Sequence, residues 1–187
     1  MKFCSNCASP ITFGAIDGEH LPRFYCENCS VIHYQNPRII VSCLPIWEDK
    51  IMLCRRGIEP QLGLWNLPGG FMENKESVES GALREMFEET GCAGTILRLH
   101  SVFSVLPVHQ VHLSFLVKMN DLNYHLTPES TEIELFAEAD IPWTEVAFTS
   151  NKFALKRYFE DKKRGTFQTH LGQYPKLSLI SSLNSPS

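Results

Sequence analysis

The stretch Leu67–Cys92, LPGGFMENKESVESGALREMFEETGC, decides how the rest of this chain is read. Glu85, Glu88 and Glu89 stand at i, i+3 and i+4, so on a helix they share one face within about one turn. Three like charges that close repel one another, and a surface helix needing only solubility would interleave lysines among them. The pattern points instead to a hard cation held by oxygen ligands, as Mg²⁺ is where it also grips phosphates. Pro68-Gly69-Gly70 supplies a backbone bend ahead of the helix and brings the chain close to whatever the acids hold. Ser77 suits the N-cap, Glu79 lies in the first turn and Gly91 suits a left-handed stop. Val78, Ala82, Leu83 and Met86 fall at burial spacing, so one helix offers one face to a core and another to a metal.

Length and composition frame that helix. The 187 residues suit one full domain with a small appendage, and 43% hydrophobic content is that of an ordinary globular protein. No apolar run approaches the ~20 residues that span a bilayer. The start of the chain shows no signal-peptide core, so the cytoplasm is the expected setting and no membrane partner is expected. A formal net charge of -4 gives no basic footprint for nucleic acid.

Of seven cysteines, four form two C-x2-C pairs, Cys4/Cys7 and Cys26/Cys29. Four thiolates at this spacing close a tetrahedral Zn²⁺ site, and residues 1–35 read as a zinc ribbon. So short a segment cannot bury a self-sufficient core, which makes the metal structural. A redox dithiol pair and disulfides are the rival readings; the odd cysteine count argues against a disulfide framework. With four thiols present, His20 and His33 are read as non-ligands. Cys43, Cys54 and Cys92 lie singly in apolar stretches and read as small buried hydrophobes.

Residues 36–187 read as the main domain. Ile39–Leu44 and Ile51–Cys54 predict a β-hairpin turned at Glu48-Asp49-Lys50. Arg55 and Arg56 close its second strand, either to contact an anionic ligand or to pair structurally, and they are the candidate substrate-binding residues. A short strand over Leu64–Leu67 delivers the Pro-Gly-Gly bend, with Trp65 as packing. Strands follow over 96–105, 111–119 and 132–137, and a second helix over 150–163 ended by Gly165. His112 reads as a sheet residue and Trp143 as a packing anchor. The tail after Gly172 turns polar and is expected to fray.

Gly70, Glu76, Arg84, Glu85, Met86, Glu88, Glu89, Gly91 and Cys92 fit the pattern G-x5-E-x7-R-E-U-x-E-E-x-G-U, with Cys92 at the last apolar position U. This resembles the box of the Nudix hydrolases. The resemblance implies an α/β/α sandwich around a mixed sheet, preceded here by a small four-cysteine zinc ribbon. It implies hydrolysis of a nucleoside diphosphate linked to another moiety, with Mg²⁺ or Mn²⁺ held by Glu85, Glu88 and Glu89. Gly70, Glu76 and Arg84 support the loop on the helix. The general base is a box glutamate or one from a later loop, Glu129 or Glu132, and Glu132 is the candidate.

A ribbon ahead of such a domain is similar to the NADH pyrophosphatases. Those carry S-Q-P-W-P-F-P-x-S after the box, where this chain reads Ser101–Pro107, SVFSVLP. Closer is the FAD/ADP-ribose pyrophosphatase group, through Tyr34–Pro37, Gly63–Trp65, Pro128–Ser130, Leu135-Phe136, Ile141-Pro142 and Ala147-Phe148. The implied substrate is therefore a small ADP-linked nucleotide or sugar, with NADH or NAD as runner-up. A nucleic-acid or protein-binding module on the same scaffold is the reading from another class. A homodimer is implied by analogy alone.

Overall fold

A computed structural model describes residues 1–175. The chain divides into two compact units, Met1–Pro37 and the residues from Arg38 onward. In the first, β1 (Thr12–Gly14), β2 (Arg23–Tyr25) and β3 (Ile32–His33) form an antiparallel sheet in that order. Each cysteine pair makes the same turn. Ala8 N–H donates to Cys4 O and Ser30 N–H to Cys26 O, and Ala8 and Ser30 take left-handed φ values of 59° and 58°. Cys4 and Cys26 are the only buried side chains of this unit, so it has no apolar core.

In the second unit the expected hairpin is β4 (Arg38–Trp47) and β5 (Lys50–Arg56). Then come β6 (Trp65–Asn66), β7 (Gly69–Phe71) and α1 (Val78–Thr90). The chain continues through β8 (Gly94–Val105), β9 (Gln110–Met119), β10 (Ser130–Phe136), α2 (Thr149–Arg164) and β11 (His170–Tyr174). The main sheet runs β10-β5-β4-β9-β8-β11, with β6 on β5 and β7 on β4. β4 with β9 and β8 with β11 are parallel and the other pairs antiparallel, which makes the sheet mixed.

Strand alternation sorts the core onto two faces. Val41 and Cys43 of β4, with Phe115 and Val117 of β9, pack on Ala82 and Met86 of α1. Leu44 and Leu116, one residue out of phase, pack with Trp65, Phe136 and the α2 residues Ala154, Leu155, Tyr158 and Phe159. The result is the expected α/β/α sandwich. Trp143 leans on the α2 cluster, and Trp65 is 4% exposed, as packing residues.

Among the elements that exceed the sequence reading, two adjoin β8. Leu106–Val108 forms a single 3-10 turn between β8 and β9. β11 has a polar, short sequence with no strand period, and it forms because β8 offers it a parallel edge, His170 opposite Ser101 through Tyr174 opposite Val105. From residue 176 the tail expected to fray lies outside the described residues.

Candidate active site

The helix carrying the acids starts and stops where its sequence demands. Ser77 Oγ accepts from Ser80 N–H at 3.1 Å, and Ser80 Oγ accepts from Ser77 N–H at 2.9 Å, a reciprocal cap. Gly91 ends α1 at φ 69° with its N–H on Phe87 O at 2.7 Å. The bend arrives as β7, whose Gly69 and Gly70 pair with Ser42 and Val41 of β4. Gly69 N–H donates to Glu89 Oε2 at 3.2 Å. A Cβ on Gly70 would stand 2.6 Å from Glu85 Oε2, so any side chain there would displace the carboxylate.

Arg84 organises the exposed side of the acidic face. It grips Glu76 with two nitrogens, at 3.0 and 2.9 Å, and donates to Phe71 O at 3.2 Å. A third nitrogen reaches Glu85 and Glu88, each at 2.9 Å. The Arg84 guanidinium and the Glu73 N–H hold Glu76 down to about 2. Glu76 and Arg84 thus tie the loop to the helix.

Glu89 has the opposite environment. It is 9% exposed. Burial pushes its carboxyl up to about 8; Glu85 and Glu129 reinforce the rise, while Gly69 N–H and Arg56 oppose it. Burial likewise raises Glu85, against the pull of Arg84 and with the push of Glu88 and Glu129. Arg84 reaches Glu85 and Glu88 but makes no bond to Glu89, and oxygen donors of this kind match a hard divalent cation. Glu85, Glu88 and Glu89 are the residues that would hold it. Glu88 is the most exposed of the three and, like Glu85, is turned to Arg84.

The two candidate bases separate in space. Glu132 lies on β10, where its carboxylate meets Arg55 Nε at 2.9 Å. Glu129 sits in the preceding loop, anchored by Gly57 N–H on its carbonyl at 2.8 Å, and its charge raises both Glu85 and Glu89. β10 pairing places Glu132 opposite Arg55, while Glu129 adds its charge to the field at the box glutamates. Arg55, one of the two candidate substrate-binding arginines, is heavily engaged within the protein. It spends its nitrogens on Glu132, Gly63 O at 2.9 Å and Glu145 at 3.6 Å, and lies 4.6 Å over the Trp65 ring. Arg56 donates to Pro60 O at 2.8 Å, stacks 5.1 Å over Phe148, and lies in the field of Glu89. Sequence reasoning did not foresee Phe148 as its platform, because 92 residues separate the pair (148 − 56).

In the smaller unit Cys4 and Cys29 Sγ lie 3.7 Å apart and Cys7 and Cys26 Sγ 3.5 Å apart. All four fall within 4.8 Å of one another. A tetrahedron with Zn–S of ~2.3 Å has edges of ~3.8 Å, so the thiols fit a zinc ion. Hydrogen bonds from Ser9 and Asn28 hold the Cys7 thiol down to about 5, while the neighbouring Cys26 thiol is pushed up to about 11. His33 Nε2 stands 3.3 Å from Cys4 Sγ, beside a ligand atom and outside the four-sulfur set. Cys43, Cys54 and Cys92 are buried as expected, and burial pushes their thiols up, Cys92 to about 11.

The NUDIX domain family matches residues 36–164, and the zinc-ribbon family described as Nudix N-terminal matches residues 2–35. This chain belongs to the NUDIX family and carries its N-terminal ribbon. A NUDIX hydrolase from Nitrosomonas europaea of known crystal structure is similar over 94% of this chain and 100% of its own, with 44% identity and a TM-score of 0.90. An ADP-ribose pyrophosphatase of Methanocaldococcus jannaschii is 38% identical over 71 residues, 38% of this chain and 42% of that protein. An NAD-capped RNA hydrolase of Chromobacterium violaceum is 29% identical over 141 residues, 71% of this chain and 48% of its own. The chain thus spans under half the length of these two curated relatives. Among the described residues, no helix is long and apolar enough to cross a membrane.

Proposed function

We propose that this chain hydrolyses the pyrophosphate bond of a small ADP-linked nucleotide, ADP-ribose or FAD, and releases AMP. The observation that carries the reading is Glu89, buried among like charges against the Gly69 N–H and pushed up to about 8. So unfavourable a carboxylate makes sense where a cation joins it. Glu85, Glu88 and Glu89 would hold Mg²⁺ or Mn²⁺, which supplies charge neutralisation at the pyrophosphate and a more acidic water. Glu129 takes the proton as water attacks one phosphorus. The bridging P–O bond breaks and the second phosphate leaves. Glu76 and Arg84 keep the Gly69-Gly70 backbone on the helix, and Arg56 offers positive charge to the substrate phosphates. Residues 1–35 serve as the zinc ribbon and 36–187 as the hydrolase domain, in a cytoplasmic protein.

NADH or NAD is the second reading, favoured by the similarity to the NAD-capped RNA hydrolase, which runs over 71% of this chain. The test is turnover by the full chain against ADP-ribose, FAD, NADH and NAD-capped RNA, with and without Mg²⁺. Metal-dependent release of AMP from ADP-ribose or FAD is the expected result. Faster cleavage of NADH selects the second reading, and no turnover with tight RNA binding selects a binding module. Glu129→Gln should lower kcat by roughly 10²-fold or more, the scale of a lost general base, while Glu132→Gln leaves it near wild type. The reverse order would return the role of base to Glu132.

A further inference from the structure

On the face of the sheet opposite α1, three side chains meet that the pyrophosphatase reading does not use. His100 of β8, Asp161 of α2 and His170 of β11 are 0%, 0% and 7% exposed. One donor atom from each lies within 4.8 Å of the others. His100 Nε2 stands 2.9 Å from Ala154 O. A carbonyl only accepts, so Nε2 carries the proton and Nδ1 is left with a bare lone pair. His170 Nε2 is 2.8 Å from Asp161 Oδ2, which also accepts Gln168 N–H at 3.2 Å.

That pairing leaves something over. Three buried side-chain atoms among the described residues have no hydrogen-bond partner: His100 Nδ1, Asp161 Oδ1 and Ser101 Oγ. Two belong to the cluster itself. Ser101 is the next residue of β8, directly opposite His170 in the β8–β11 ladder. Two buried acceptors without a partner in one cluster are costly unless something positive or proton-donating joins them. The outer partners are those of a ligand sphere: Ala154 O fixes the His100 tautomer, and Gln168 N–H orients the carboxylate.

We propose that His100, Asp161 and His170 form a second, structural metal site for a divalent ion of the zinc class, clasping β8, α2 and β11 together. Two imidazoles and one carboxylate suit Zn²⁺ or Co²⁺, whereas Mg²⁺ prefers an all-oxygen set. His100 Nδ1, His170 Nε2 and an Asp161 oxygen are the ligands. The proton His170 Nε2 shares with Asp161 leaves to solvent when the ion enters. Ser101 Oγ is available to a fourth ligand, a water. The site stands apart from the box carboxylates, since α1 packs on the other face of the sheet. It also gives β11, which has little apolar sequence of its own, a reason to stay on β8.

The test is a Zn²⁺ titration of the full chain with ¹⁵N-labelled histidine, in excess Mg²⁺ to occupy the box carboxylates. Large shifts of His100 Nδ1 and His170 Nε2 are expected, along with two zincs per chain by elemental analysis. His100→Gln and His170→Gln should each lose one of the two zincs and keep the ribbon's. A rise in the Tm of the larger unit with zinc, expected in wild type, should vanish in both variants. Unmoved ring nitrogens of these two histidines, or equal zinc content in wild type and both variants, would overturn the proposal and leave an ion pair with an ordered water. Should the variants misfold, the wild-type nitrogen shifts decide alone.

Discussion

Met1–Pro37 buries only two side chains, both cysteines, whereas the larger unit buries three apolar clusters on two faces of one sheet. Each unit gathers metal-ligating groups, but the contrast shows that such groups play two physical parts here. In the ribbon the thiols are the core, and nothing else can offset the entropy of ordering those residues. In the larger unit the core is complete without the box glutamates, and those glutamates oppose folding, since Glu89 and Glu85 are buried among like charges. On the proposed reading, one metal would make structure and the other would relieve a strain that structure has already imposed.

The largest effect expected from this contrast is on the ribbon. Chelating zinc from the full chain should unfold the smaller unit completely, because the binding energy of a structural zinc, ~10–16 kcal/mol in zinc-finger peptides, is its folding energy. Amide resonances of residues 1–35 should collapse to random-coil positions while those of β4, β5 and α1 persist. A ribbon that keeps dispersed resonances after its zinc is gone would break the comparison from one side.

Next in size is Glu89→Gln. Turnover should fall by roughly 10²–10³-fold, the scale of losing one preorganised electrostatic group, and the fold should persist; near-normal turnover would sink the catalytic assignment. Stability should move the other way. A carboxyl raised to about 8 in the folded state and near its ordinary value in the unfolded chain is protonated mainly when folded, so stability falls as pH rises between those values. At ~1.4 kcal/mol per unit this is a few kcal/mol for the metal-free protein. Urea titrations from pH 5 to pH 8 should show the decline in wild type, its absence in Glu89→Gln, and its suppression by Mg²⁺. A flat wild-type profile would show that Glu89 is not the strained group.

The acidic helix was legible because its information is local: the Ser77 cap, the Gly91 stop and the i, i+3, i+4 acids lie within one segment. The hairpin and the two-faced helices were legible for the same reason, through periods of 2 and 3.6. What stayed hidden depends on pairing between distant segments. Glu129 adds its charge to the field at Glu85 and Glu89, whereas β10 pairs with β5 and sets Glu132 against Arg55. Arg55 is consumed by that same pairing, while Arg56 finds Phe148 through a long connection. His100, Asp161 and His170 carry no spacing signal, since three different elements deliver them. β11 is set by the edge it joins rather than by its own residues.

The smallest effects expected test whether the bend serves structure and chemistry with different glycines. A Cβ on Gly69 would stand 2.4 Å from Val41 O and 2.6 Å from Ser42 Cα, both backbone atoms of the strand β7 pairs with. Backbone cannot yield, so Gly69→Ala should cost about 1–3 kcal/mol, as overpacking does. On Gly70 the Cβ would meet only the end of the Glu85 side chain, which can rotate away. Gly70→Ala should therefore leave Tm near wild type and lower metal-dependent turnover, because the displaced carboxylate is one of the three the cation needs. Calorimetry and a Mg²⁺ titration of kcat separate the two. Should Gly70→Ala lose stability and keep its turnover, Glu85 would be holding the bend rather than the metal, and the crowded face would reduce to Glu88, Glu89 and Glu129.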